Sequence, residues 1–207
     1  MAKRRSGQQK VRNNFYIITN GEKTEKTYFD LLKKTKRSLY SVNVIFENAD
    51  PPGLVEYAKD FLKNANQVWC VFDIDYTHKD KRLVPALNLA KQYGIKIAYS
   101  NKAFEVWLIS HFKEFDAKLS IEKYAEVITK HIKENGYQGT YNKTNEALLK
   151  TYFIPHYKDA VEKAKVVYQR YVKKYHEECK PNSKMPIWEW DASTTVFKLV
   201  EALKLRS

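Results

Sequence analysis

Apolar and polar positions along this chain change their period several times, and each change marks an element. Phe15-Tyr16-Ile17-Ile18-Thr19 is a short apolar run, rich in β-branched and aromatic residues, that predicts a buried strand. Asn20-Gly21 then signals a turn, and a helix opens at Thr24-Glu25 with Tyr28, Leu31 and Leu32 on one face. Val42-Asn43-Val44-Ile45-Phe46 reads as a second strand. After Asp50-Pro51-Pro52-Gly53 comes a second helix, with Leu54, Ala58, Phe61 and Leu62 spaced for burial. The run Val68-Trp69-Cys70-Val71-Phe72-Asp73-Ile74-Asp75 is a third strand, a helix follows from about Val84 to Tyr93, and Ile95-Lys96-Ile97-Ala98-Tyr99 is a fourth strand. This alternation requires right-handed crossovers and predicts an α/β fold with a mostly parallel four-stranded sheet flanked by helices.

From Ala103 onward the period turns helical. Phe104, Trp107, Leu108 and His111 recur at i, i+3, i+4 and i+7, a buried stripe on which His111 reads as a core histidine rather than a ligand. Ser120 is placed to cap a helix whose apolar face is Ile121, Tyr124, Ala125, Ile128 and Ile132. A Lys- and Tyr-rich helix spans about Tyr157 to Glu178, and a last helix begins near Ser193 and buries Val196, Leu199, Val200 and Leu203. The segment from Gly136 to Thr144, with Gly, Tyr, Asn and Lys, is the best candidate for a mobile loop. The organisation expected is a basic disordered tail over 1–12, an α/β domain over 13–113 and a helical C-terminal region packed on it over 114–207.

Composition adds a partner class. The chain has 207 residues, 43 % of them hydrophobic, and a formal net charge of +13. No stretch approaches a membrane span or a secretory leader, and Cys70 and Cys179 are too few and too far apart for a disulfide framework, so a cytoplasmic protein is expected. The positive charge points to a polyanion, although a solvated Lys-rich surface gives the same total. Lys3, Arg4, Arg5, Lys10 and Arg12 crowd a tail without acids and are candidate phosphate contacts, as is Lys102 beside Ser100-Asn101. Trp188 and Trp190 could stack on bases or pin a helix to the core.

The candidate chemistry gathers where strands end. Asp73 and Asp75 are two apart on one strand, so they point to the same side at its C-terminal edge, where open α/β sheets bind ligands. Two adjacent carboxylates repel, and a hard cation such as Mg²⁺ rewards the arrangement; a strand stopping in a polar turn is the competing reading. Glu105 begins its helix at the same edge and is either a third metal-site carboxylate or a complement to the helix dipole. The string Gly21-Glu22-Lys23-Thr24 is not a P-loop, because Glu22 and Ile17 stand where that motif needs glycines. His78-Lys79-Asp80 likewise lacks the spacing of a catalytic motif.

Four segments together resemble the RloB-like family, whose members carry a Toprim-type domain and are associated with abortive phage infection and restriction loci. They are Gly21-Glu22-Lys23-Thr24-Glu25 with Tyr28-Phe29; Trp69 to Asp75; Ser100-Asn101 with Phe104-Glu105, Trp107-Leu108 and His111-Phe112; and Ser193-Thr194-Thr195-Val196 with Leu199-Val200. The resemblance implies a Toprim-like sheet and Mg²⁺- or Mn²⁺-dependent cleavage of nucleic-acid phosphodiesters, in DNA or RNA, as part of phage defence. Asp73 and Asp75 match the family's metal-holding Asp-x-Asp pair. The family's usual Glu-Gly after the first strand reads Asn20-Gly21 here, and Asn binds a cation weakly and is no base at neutral pH. Glu22 or Glu25 would then complete the acidic cluster with Glu105, and Lys23 would neutralise phosphate. The alternative implied by Asn20 is a catalytically impaired Toprim-like subunit that binds nucleic acid or a partner. In related loci the neighbouring gene encodes an AAA-type ATPase, which the resemblance offers as a protein partner.

Overall fold

Strand-forming runs and helix-forming runs alternate in the first half of the chain, and the structure, a computed structural model, pairs them as that alternation requires. It describes residues 13–74, 81–178 and 187–206. Strands β1 (Asn14–Thr19), β2 (Ser41–Phe46), β3 (Gln67–Asp73) and β4 (Lys96–Asn101) are parallel, and β5 (Ser193–Thr194) closes the far edge antiparallel to β4. The order is β2-β1-β3-β4-β5. Helix α1 (Glu25–Thr35) links β1 to β2, α2 (Pro51–Ala58) links β2 to β3, and α3 (Leu83–Tyr93) links β3 to β4. Asp50 caps α2 by accepting from the Gly53 N–H at 3.0 Å, and Gly94 ends α3 with φ of 72°, a conformation that glycine adopts without strain.

The sheet divides two apolar cores. Phe15, Ile17, Trp69, Val71 and Ala98 face the layer that contains α1, while Ile18, Val68, Cys70, Phe72 and Tyr99 face α2 and α3. Strands alternate their side chains, so Asp73 shares the side of Trp69 and Val71. Cys70 is a free thiol enclosed in the second core, and burial pushes its pKa up to about 12.

The C-terminal half builds on the α1 side. It comprises α4 (Glu105–Ser110), α5 (Ile121–Glu134), α6 (Glu146–Leu148), which runs into a π-helical turn over Leu149–Phe153 and a 3₁₀ turn over Ile154–His156, then α7 (Tyr157–Glu178) and α8 (Val196–Ala202). Their apolar residues, among them Tyr124, Ile128, Phe153, Ala160 and Leu199, join Phe15, Tyr28 and Trp107 in one core. His111 is buried there as the stripe predicts. Its Nδ1 lies 3.0 Å from the Trp107 carbonyl oxygen, which can only accept, so Nδ1 donates and Nε2 accepts from the Tyr28 hydroxyl at 3.0 Å. Burial lowers the His111 pKa to about 3 and keeps the ring neutral.

Three expectations need correction. The sheet has a fifth strand, because Ser193 and Thr194 pair with β4 instead of opening the last helix, which starts at Val196. The neighbouring threonine hydroxyls are taken by β4: Thr194 Oγ1 donates to the Tyr99 carbonyl at 2.9 Å, and Thr195 Oγ1 accepts from the Tyr99 N–H at 2.9 Å. Ser120 does precede α5, but its side chain makes no capping hydrogen bond. The stretch 136–144 is tied down at several points, since the Tyr141 N–H donates to Thr129 Oγ1 at 2.9 Å, Asn142 Oδ1 accepts from the Thr144 N–H at 2.9 Å, and the adjoining Asn145 side chain donates to the Tyr137 hydroxyl at 2.8 Å. Trp190 packs among Tyr168, Tyr171 and Tyr175 at 7 % exposure, so it pins α7 and offers no face to a base. The tail 1–12, His78-Lys79-Asp80 and Cys179 lie outside the described residues.

Candidate metal centre

Strand order decides where a site can form. β1 sends its chain outward to β2, and β3 returns on the other side of β1, so the connections leaving β1 and β3 diverge and open a crevice at their carboxyl ends. The Asn20 N–H donates to the Val71 carbonyl at 3.3 Å and the Ile74 N–H to the Ser100 carbonyl at 2.9 Å, which carries the ladder to the edge of that crevice. Into it project Asp73 from the end of β3, Glu25 from the start of α1 and Glu105 from the start of α4.

Glu25 and Glu105 both press on the Asp73 carboxyl. Burial first, then the negative charges of Glu25 and Glu105, raise its pKa well above the ordinary carboxylate value, against the pull of Lys143 and a hydrogen bond from the Phe104 N–H. Glu25 is raised as well, mainly by burial and then by Glu105, although its own backbone N–H and Lys143 oppose the shift. Glu105 is 1 % exposed. Its Oε1 accepts from the Tyr141 hydroxyl at 3.1 Å and from Lys143 Nζ at 3.0 Å, while its Oε2 is buried with no hydrogen-bond partner among the described residues. A carboxyl oxygen bare of partners is costly to bury, and it points to something that would satisfy it.

Gly21 makes room for Glu25. A Cβ at position 21 would collide with the Glu25 carboxylate, so the turn after β1 must carry glycine for that carboxylate to sit where it does. The donors are all oxygens, which suits a hard cation. Among the described residues, however, no three His, Cys, Asp or Glu side chains converge closely enough to hold a metal ion. The cation that the three carboxylates draw in is the Lys143 ammonium, whose pKa burial would lower but Glu105, Asp73 and Glu25 raise.

The structure sorts the residues expected from the sequence. Asp73, Glu25 and Glu105 come together; Asn20 is half-buried one residue past β1; Glu22 and Lys23 are exposed at the turn. Asp75 lies outside the described residues, as do Lys3, Arg4, Arg5, Lys10 and Arg12. Lys102 is turned inward, its Nζ 3.0 Å from Asp191 Oδ2 and 3.0 Å from the Leu119 carbonyl oxygen, so it is engaged within the fold rather than presented to a phosphate. Tyr141 and Lys143 were not legible as site residues. They sit in a polar stretch with no periodicity, some 36 residues from Glu105 in the case of Tyr141, and only the folded chain brings them to it.

Fold and site together define an α/β protein with a cluster of buried and part-buried carboxyls at the carboxyl edge of a mostly parallel sheet. The family model for RloB-like proteins matches residues 15–203, and the chain belongs to that family. No curated protein and no solved structure matches it significantly.

Proposed function

We propose that this protein is a Toprim-like nuclease that cleaves nucleic-acid phosphodiesters with Mg²⁺ or Mn²⁺ in phage defence. The observation that carries the reading is the bare, buried Oε2 of Glu105 in the crevice that Glu25 and Asp73 also line. Two buried carboxyls with the part-buried Asp73 beside them favour a positive partner, and an oxygen-only donor set fits a hard divalent cation. Asp73 and Asp75 would hold the cation, with Glu105 and the Asn20 carbonyl beside them. The bound cation supplies positive charge to the scissile phosphate and lowers the pKa of a bound water.

The protein's own groups do the rest. Glu25, held against Gly21 with a raised pKa, is suited to take a proton from the attacking water, so the cluster keeps a base although Asn20 stands where the family usually has Glu. Lys23, exposed at the start of α1, offsets phosphate charge, and Glu22, equally exposed, stays outside the cluster. The tail residues Lys3, Arg4, Arg5, Lys10 and Arg12 add contacts to the backbone that do not depend on sequence. No helix among the described residues is long and apolar enough to cross a membrane. We place the protein in the cytoplasm, with an AAA-type ATPase as the protein partner.

Asn20 favours a second reading, a binding subunit without turnover. The two separate in one assay: labelled DNA and RNA incubated with Mg²⁺ or Mn²⁺, with Asp73→Asn alongside. Cation-dependent cleavage that falls at least about a hundredfold in Asp73→Asn supports the nuclease. Binding without cleavage under any divalent ion, unaltered by Asp73→Asn, supports the subunit and sinks the enzyme.

A further inference from the structure

Lys143 lies in the crevice on a side chain that is 55 % exposed, yet its Nζ is 3.0 Å from the Oε1 of Glu105, which is 1 % exposed. A lysine with free access to water is here committed to a buried acid. Its backbone is committed too, because the Lys143 carbonyl accepts from Thr24 Oγ1 at 3.3 Å, one residue before Glu25. Asp73 and Glu25 also attract the ammonium. The loop that carries it is fixed by Tyr141, whose hydroxyl donates to the same Glu105 oxygen. The other Glu105 oxygen remains without a partner.

We propose that Lys143 is a tethered counter-ion which stabilises the acidic crevice while no divalent cation is bound, and which the cation displaces from Glu105. This rests on the metal reading above and adds a competition to it. The ammonium brings one charge and pairs with Glu105, whereas a divalent cation brings two charges and can take oxygens from more than one carboxylate. The two cannot share Glu105 Oε1 at close range without repelling each other. The Lys143 side chain is long and half in water, so it can swing out while Tyr141 and the Thr24 hydrogen bond hold the loop in place. The consequence is a threshold: the crevice responds to divalent cation only once its concentration exceeds what the built-in charge demands.

The test uses the full chain and Mn²⁺ alone. Calorimetry compares wild type with Lys143→Met, which keeps the aliphatic stem, and Lys143→Arg, which keeps the charge. Removing the competitor should tighten Mn²⁺ binding about five- to tenfold in Lys143→Met, and Lys143→Arg should stay near wild type. In parallel, acetylation of lysine amines read by mass spectrometry should show Lys143 becoming several-fold more reactive when Mn²⁺ is added, relative to the exposed Lys130. Equal or weaker Mn²⁺ binding by Lys143→Met, or Lys143 reactivity indifferent to Mn²⁺, overturns the competition and leaves the metal site standing. Absence of Mn²⁺ binding in all three proteins overturns the metal site and the competition with it.

Discussion

Asp73 ends β3 beside two other carboxyls, those of Glu25 and Glu105. Its carboxyl, raised by burial and by Glu25 and Glu105, binds a proton more tightly in the folded chain than in the unfolded one. The folded state therefore holds more protons above the ordinary carboxylate pKa, and stability falls as pH rises from about 4 through the raised folded value. Asp73→Asn removes that loss. In cation-free buffer the variant should melt above wild type by about 2–4 °C at pH 8, and the gap should shrink toward pH 4 in the same calorimetric scans. A lower melting temperature for the variant at pH 8 would show that the carboxylate is stabilised rather than strained. Gly21 separates function from stability in another way. The group that an added Cβ meets is the end of the Glu25 side chain, which can rotate aside. Gly21→Ala should shift the urea midpoint little while costing roughly a hundredfold in the proposed cation-dependent cleavage, by displacing Glu25.

Elements differ in how openly the sequence declares them. The apolar strands 15–19, 42–46 and 68–73 and the helix over Tyr157–Glu178 follow from periodicity, because a strand or helix buried along its length must repeat its pattern. The carboxylates at strand ends were legible too: Asp73 through its place after Phe72, and Glu105 through its place after β4. What periodicity misses is any contact with no period. Tyr141 and Lys143 reach Glu105 from a polar stretch, and β5 is two residues that read as the start of the last helix. The hydroxyls of Thr194 and Thr195 instead bond the edge of β4 at Tyr99. Thr195→Val, which leaves the buried Tyr99 N–H without its acceptor, should cost about 1–3 kcal/mol in chemical denaturation, whereas Thr151→Val, at an exposed position of the π-helical turn, should cost less than about 0.5 kcal/mol.

At the scale of the whole molecule, charge and connectivity set the behaviour. With a net charge of +13, affinity for nucleic acid should fall steeply as salt rises, because each neutralised phosphate releases counterions. Deleting residues 1–12 removes Lys3, Arg4, Arg5, Lys10 and Arg12, and should flatten the slope of log affinity against log salt by about three to five. An unchanged slope would assign binding to the folded surface. Connectivity ties the C-terminal residues back to the first crossover: the Arg206 N–H donates to the Arg37 carbonyl at 2.7 Å, and Ser38 Oγ to the Leu203 carbonyl at 2.6 Å. It also closes the sheet late. Ser100 meets its partner Thr194 across 94 residues of chain, so during synthesis β4 leaves the ribosome with one edge unpaired and waits for most of the second half to be made. An open apolar edge recruits other strands. A ribosome stalled between β4 and β5 would thus release a polypeptide prone to aggregate, with neither Lys143 nor Tyr141 in place if the stall came early, and the cell would meet a chaperone substrate before it met a folded protein.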